Sequence, residues 1–91
     1  MTAFDFGRRR ANALDRFERL LLEHRADIGM DDVGDAELLQ QAPLILRSLV
    51  RLSIMALRDP DDADNVRRLA ALDWFVEWAS RDIDGYPDAA L

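Results

Sequence analysis

Three serines (Ser48, Ser53, Ser80), one histidine (His24) and eighteen carboxylates are the side chains of this 91-residue chain best suited to nucleophilic, acid–base or metal chemistry. The chain has no cysteine, which removes a thiolate nucleophile, a disulfide framework and a cysteine zinc site. A nucleophilic serine needs an adjacent base and commonly a strained turn such as G-x-S-x-G. None of the three serines sits in such a turn, and Ser48 and Ser53 read as small residues that let a helix approach a neighbour. His24 falls on an apolar helical spacing with no partner evident in sequence, so it reads as a boundary residue whose ring covers apolar surface. The acids Asp59, Asp61, Asp62 and Asp64 invite a calcium reading. An EF-hand loop begun at Asp59 would place Ala63 fifth, Asp64 sixth and Ala70 twelfth, where an acid, glycine and glutamate are required. Helix capping accounts for these acids without a metal. No metal and no cofactor are expected, and the chain reads as non-enzymatic.

A different chemistry, that of recognition, is offered by Arg67, Ala71, Trp74, Trp78 and Arg81, which share a side of one predicted helix. Tryptophan and arginine are enriched at binding hot spots, and arginine stacks on indole faces. Leu46, Val50 and Leu57 on the preceding helix extend this candidate interface. The competing reading packs the tryptophans under the first helix or under the N-terminal segment Phe4-Asp5-Phe6. The run Ser80-Arg81-Asp82-Ile83-Asp84-Gly85 resembles the Ser/Thr-x-x-x-Glu-Gly/Asn inhibitory motif of antitoxins that silence Fic-type AMP-transferases. The resemblance implies a helix that plugs a nucleotide pocket with its acid. It covers six of 91 residues, and Asp84 is one methylene shorter than the motif's glutamate. Arg8-Arg9-Arg10 could form a basic arm, but it reads more simply as a solvated helix start.

The elements that must position these residues are all helical, because no alternating strand pattern persists. A first helix is predicted over roughly 8–28, with Leu14, Phe17, Leu21, His24 and Ile28 on one stripe and Gly29 as its left-handed cap. Thr2 or Asp5 could cap an earlier start, and Asp15–Arg19 and Arg19–Glu23 could pair along the wet side. Asp35 is predicted to cap a short helix that ends near Gln41, with Pro43 in the first turn of the next. Residues 44–58 confine Arg47, Arg51 and Arg58 to one narrow stripe and are apolar elsewhere, which predicts a central buried helix. Asp59-Pro60 predicts a third long helix over roughly 60–83, an antiparallel neighbour of the second, closed by Asp84-Gly85-Tyr86-Pro87. That third helix carries two apolar faces, Val66-Leu69-Leu72-Val76-Ala79-Ile83 and Ala71-Trp74-Trp78, with Phe75 between them. The expected fold is therefore an all-α bundle of three long helices plus a possible short one before Pro43. It forms a single domain over 1–91, with 1–7 and 86–91 as candidate tails.

Net charge is −6 and unevenly placed: residues 1–34 carry −1, residues 35–58 carry +1 and residues 59–91 carry −6. Such acidity is a poor electrostatic footprint for nucleic acid. No span or secretory leader is read, and the expectation is a cytoplasmic protein. The predicted helices offer more apolar surface than three helices of one chain can hide. The leading expectation is a protein–protein interaction module that forms a homodimer. The alternative is a small acidic inhibitor of bacterial or phage type docking a basic partner. The third reading is a small DNA-binding regulator that uses the arginine arm.

Overall fold

A computed structural model describes the backbone of residues 3–87 and the side chains from residue 12 to residue 87. The described residues contain helices, turns and no strand, so the all-α expectation holds. Helix count and lengths differ from it. Five α-helices follow in order: α1 (Ala3–Glu23), α2 (Asp35–Gln40), α3 (Ala42–Arg58), α4 (Ala63–Ala70) and α5 (Asp73–Asp82). A 3₁₀ turn, Arg25–Ile28, follows α1. Among the described residues no helix is long and apolar enough to cross a membrane.

Gly29 ends the 3₁₀ turn with φ +71°, the left-handed conformation that glycine adopts without a Cβ penalty. The chain then returns to α2 through residues 30–34, and Arg25 fixes that return. Its Nε donates to the Leu22 carbonyl (3.2 Å), its Nη1 to the Val33 carbonyl (2.7 Å), and its Nη2 to the Asp35 carboxylate. Gly34, not Asp35, is the N-cap of α2, because Asp35 is drawn into the first turn and held by Arg25. Asp5 lies within α1 rather than ahead of it, and Thr2 lies outside the described residues. The chain does break before Pro43, which sits in the first turn of α3, where its missing N–H is not needed.

Asp59 does not start the next helix, since its N–H still donates to the Met55 carbonyl (3.0 Å) at the end of α3. Residues 60–62 make the reversal, and Asp62 becomes the N-cap of α4, accepting from the N–H groups of Asp64 (3.2 Å) and Asn65 (3.3 Å). The long third helix expected over 60–83 is two helices, broken at Ala71–Leu72. Leu72 takes a non-helical conformation (φ −112°, ψ 47°), buries its side chain, and accepts from the N–H groups of Phe75 and Val76. No glycine or proline marks this break; burial of Leu72 and a fresh acidic first turn at Asp73 accompany it. The break divides the Val66–Ile83 face between α4, which carries Val66 and Leu69, and α5, which carries Val76 and Ala79 together with Trp74 and Trp78.

The core joins Phe17 and Leu21 of α1, Leu38 of α2, Leu49, Val50 and Ile54 of α3, Leu72, and Phe75, Trp78 and Ala79 of α5. Aromatic rings dominate it. Phe17 lies 4.8 Å from Trp78 and meets Phe75 edge-on at 6.2 Å. Leu14, predicted to share this stripe, is exposed, and Ala13 packs against the core in its place. Tyr86, read as the start of a tail, is docked: its ring meets Phe75 edge-on and its hydroxyl shares a hydrogen bond with the buried Ser53. Ser53 donates in turn to the Leu49 carbonyl (3.0 Å), so both hydroxyls are satisfied. The molecule is a slab of 43 × 32 × 17 Å. At helix spacings of about 8–10 Å, the short dimension admits roughly two layers, so a helix in either layer keeps an outward side.

Candidate functional site

Two surfaces gather the residues singled out by sequence. The first is the outward side of α3. At 100° per residue, Leu44, Arg47, Ser48, Arg51, Met55 and Arg58 fall within about a third of the helix circumference. All six are exposed, while Ala42, Leu49, Val50, Ser53, Ile54 and Ala56 are buried. The wet stripe of Arg47, Arg51 and Arg58 is where the spacing put it, and Leu44, Ser48 and Met55 are exposed within it, where burial was expected. Leu44 is 65% exposed, Leu57 54% and Met55 46%, and Val66 of α4 is exposed near the start of that helix. Among the described residues Arg47, Arg51 and Arg58 have no carboxylate partner within ion-pair distance, and α3 itself contains no acid.

The second surface is an open cleft of about 670 Å³ between α1 and α5, lined by Arg16, Arg19, His24, Trp74, Glu77 and Arg81 among others. Its charges largely satisfy one another. Arg16 Nη2 donates to Asp82 (2.6 Å) and Arg81 Nη2 to Glu77 (2.8 Å). The hydrogen bond to Asp82 holds the Arg16 guanidinium above its usual pKa; desolvation opposes it, and the charge of Asp82 adds to it. The Arg19 pairs expected within α1 do not form; the helix is tied instead to α5 through Arg16. His24 stacks on Trp74 (5.0 Å between centroids, planes 6° apart), and its Nδ1 lies 3.3 Å from Asp27. It is a boundary residue, as its spacing implied.

The predicted interface residues separate in space. Trp78 and Val50 are in the core, so neither is presented to a partner. The Trp78 Nε1 donates to the Ala13 carbonyl (3.0 Å), which satisfies the indole internally. Trp74 is half-buried against His24, and its Nε1 is buried without an acceptor. Leu46 is half-buried, whereas Leu57, Arg67, Ala71 and Arg81 are exposed. Arg81 lies in the cleft with Trp74, but Arg67 and Ala71 sit at the end of α4 and do not line it. Asp59, Asp61 and Asp64 are exposed, and Asp62 is committed to capping α4. Among the described residues no three carboxylate, histidine or cysteine side chains converge to hold a metal ion. In the Ser80–Gly85 run, α5 ends at Asp82 and Asp84 falls in the turn beyond it, so the acid of the resembled motif is not presented on a helix. The side chains of Arg8, Arg9 and Arg10 lie outside the described residues.

Sequence reading missed Leu44, Met55 and Val66 as exposed apolar residues. Their signal was present: Leu44, Ser48, Arg51 and Met55 follow the 4-3-4 spacing of a helix-pairing seam, with a serine and an arginine at positions a core would fill with leucine. Compared with protein-family models, curated proteins and solved structures, the chain matches none.

Proposed function

We propose that this chain is a non-catalytic protein–protein interaction module that self-associates through the outward side of α3. The observation that carries this reading is the exposure of Leu44 and Met55 on the outward side of α3, whose opposite side is core. Burying a leucine-sized side chain contributes roughly 1.5–3 kcal/mol, so covering both yields a sizeable gain.

Sedimentation velocity and light scattering across a micromolar concentration series test the reading. The expected outcome is a mass that rises to twice that of the chain. A mass fixed at one chain throughout overturns it. A second reading, docking of the acidic turn on a basic partner, is favoured by Asp59, Asp61 and Asp64, which are exposed and have no ion-pair partner among the described residues. Binding of that kind weakens steeply with salt.

A further inference from the structure

We infer that the self-associated form is a two-fold dimer in which two copies of α3 run antiparallel and cross at Met55, so that Arg51 of each copy meets Asp59 of the other. The inference rests on the self-association reading and deepens it by naming the register. It is carried by how charge is laid out along one exposed stripe. Residues 42–58 hold three arginines and no acid, whereas residues 59–64 hold four aspartates and no arginine. A pairing centred on Arg51 would set Arg51 against its own copy and leave no acid between the helices. A parallel pairing would align every arginine with its equivalent. Like charges opposed in this way are unfavourable.

Moving the crossing one turn, to Met55, removes the conflict. Arg51 lies four residues before Met55 and Asp59 four after, each about 6 Å along the axis. Asp59 still belongs to the helical stripe, because its N–H closes the last turn on the Met55 carbonyl. A two-fold axis reverses direction, so each Arg51 is brought over the other copy's Asp59, and the pair occurs twice. Met55 then packs on itself, a role suited to a flexible, polarizable side chain. One layer out, the small Ser48 meets the reversal at 60–62, where a larger residue would collide with the turn. Both members of each pair are exposed in the single chain, so they are free to meet.

The test exploits the absence of cysteine. Met55→Cys carries the sole thiol, and a two-fold axis at that position brings two such thiols together. A short bis-maleimide should link the Met55→Cys chains into a covalent dimer. Leu44→Cys, eleven residues and about 16 Å along the helix from the axis, should link far less. Arg51→Asp and Asp59→Arg should each weaken self-association at least about tenfold. An equimolar mixture of the two single variants should associate as well as the unaltered chain or better, because both cross-pairs are then opposite in sign. Circular dichroism should show all four variants folded, since the altered positions are exposed.

Association of the unaltered chain, with no effect of either charge reversal and no cross-link through Met55→Cys, overturns the register and leaves the self-association reading standing. A chain that stays monomeric overturns both. So does a monomer whose α3 binds an acidic amphipathic helix, which would assign the face to a different protein.

Discussion

Along the seam between α1 and α5, large side chains find partners within the chain; along the outer side of α3, they meet solvent. In the seam Phe17, Phe75 and Trp78 form a three-ring cluster, and Trp78 also reaches the Ala13 carbonyl. Arginines on the same two helices are neutralised across and along it, Arg16 by Asp82 and Arg81 by Glu77. On α3 neither kind of closure occurs. The difference lies in composition. Both α1 and α5 carry acids as well as arginines, so an arginine there can find a carboxylate across the seam, as Arg16 does, or along its own helix, as Arg81 does. α3 carries arginines, apolar residues and one serine on its wet side, with no acid, so its charge complement must come from elsewhere. The α1–α5 seam closes its ring cluster and carries its own ion pairs; the outer side of α3 does neither and is a candidate for a partner.

Mutations that truncate each side would break or sharpen this contrast. Phe75→Ala removes the ring at the centre of the seam and should cost about 3–5 kcal/mol, read as a large fall in the urea midpoint. That is a major fraction of the roughly 5–15 kcal/mol available to a domain. Trp78→Phe keeps most of the apolar volume but removes the indole N–H that reaches the Ala13 carbonyl, and a loss of about 1 kcal/mol is expected in the same assay. A cost near zero would mean that the seam is looser than its ring contacts indicate. Met55→Ser and Leu44→Ser should change the stability of the dilute chain by no more than about 0.5 kcal/mol. In the unaltered chain the melting temperature should rise with protein concentration, as linkage requires, and these two substitutions should abolish that rise. If Met55→Ser proved as damaging as Phe75→Ala in dilute solution, the division into finished and unfinished sides would fail.

Some of this was legible in the residues alone. The helical class, the Gly29 cap, the break before Pro43 and the boundary position of His24 follow from spacing and from special backbone residues, which act locally. The break at Ala71–Leu72 has no glycine or proline to announce it. Its trace was indirect: the segment from Val66 to Ile83 carried two apolar faces that one straight helix could not both bury. Asp62 rather than Asp59 became the N-cap because four acids in six residues leave the capping register open. The outward side of α3 was misread for a tertiary reason. Periodicity shows which side of a helix is apolar, not how many neighbours exist to cover it, and a slab two layers thick supplies too few. Trp78 and Trp74 were likewise inseparable by spacing; one reaches Ala13 and the core, the other stacks on His24.

The three-way grip of Arg25 has a consequence for how this chain tolerates change. Three separate guanidinium nitrogens each hold a different acceptor, on residues 22, 33 and 35. A lysine has a single nitrogen and cannot span them. Since one side chain already anchors where α2 begins, the exposed Asp31 and Asp32 are relieved of that duty. Those two positions are free to drift, or to receive an inserted tag, while Met30, which packs against the core, and the arginine at the base are not.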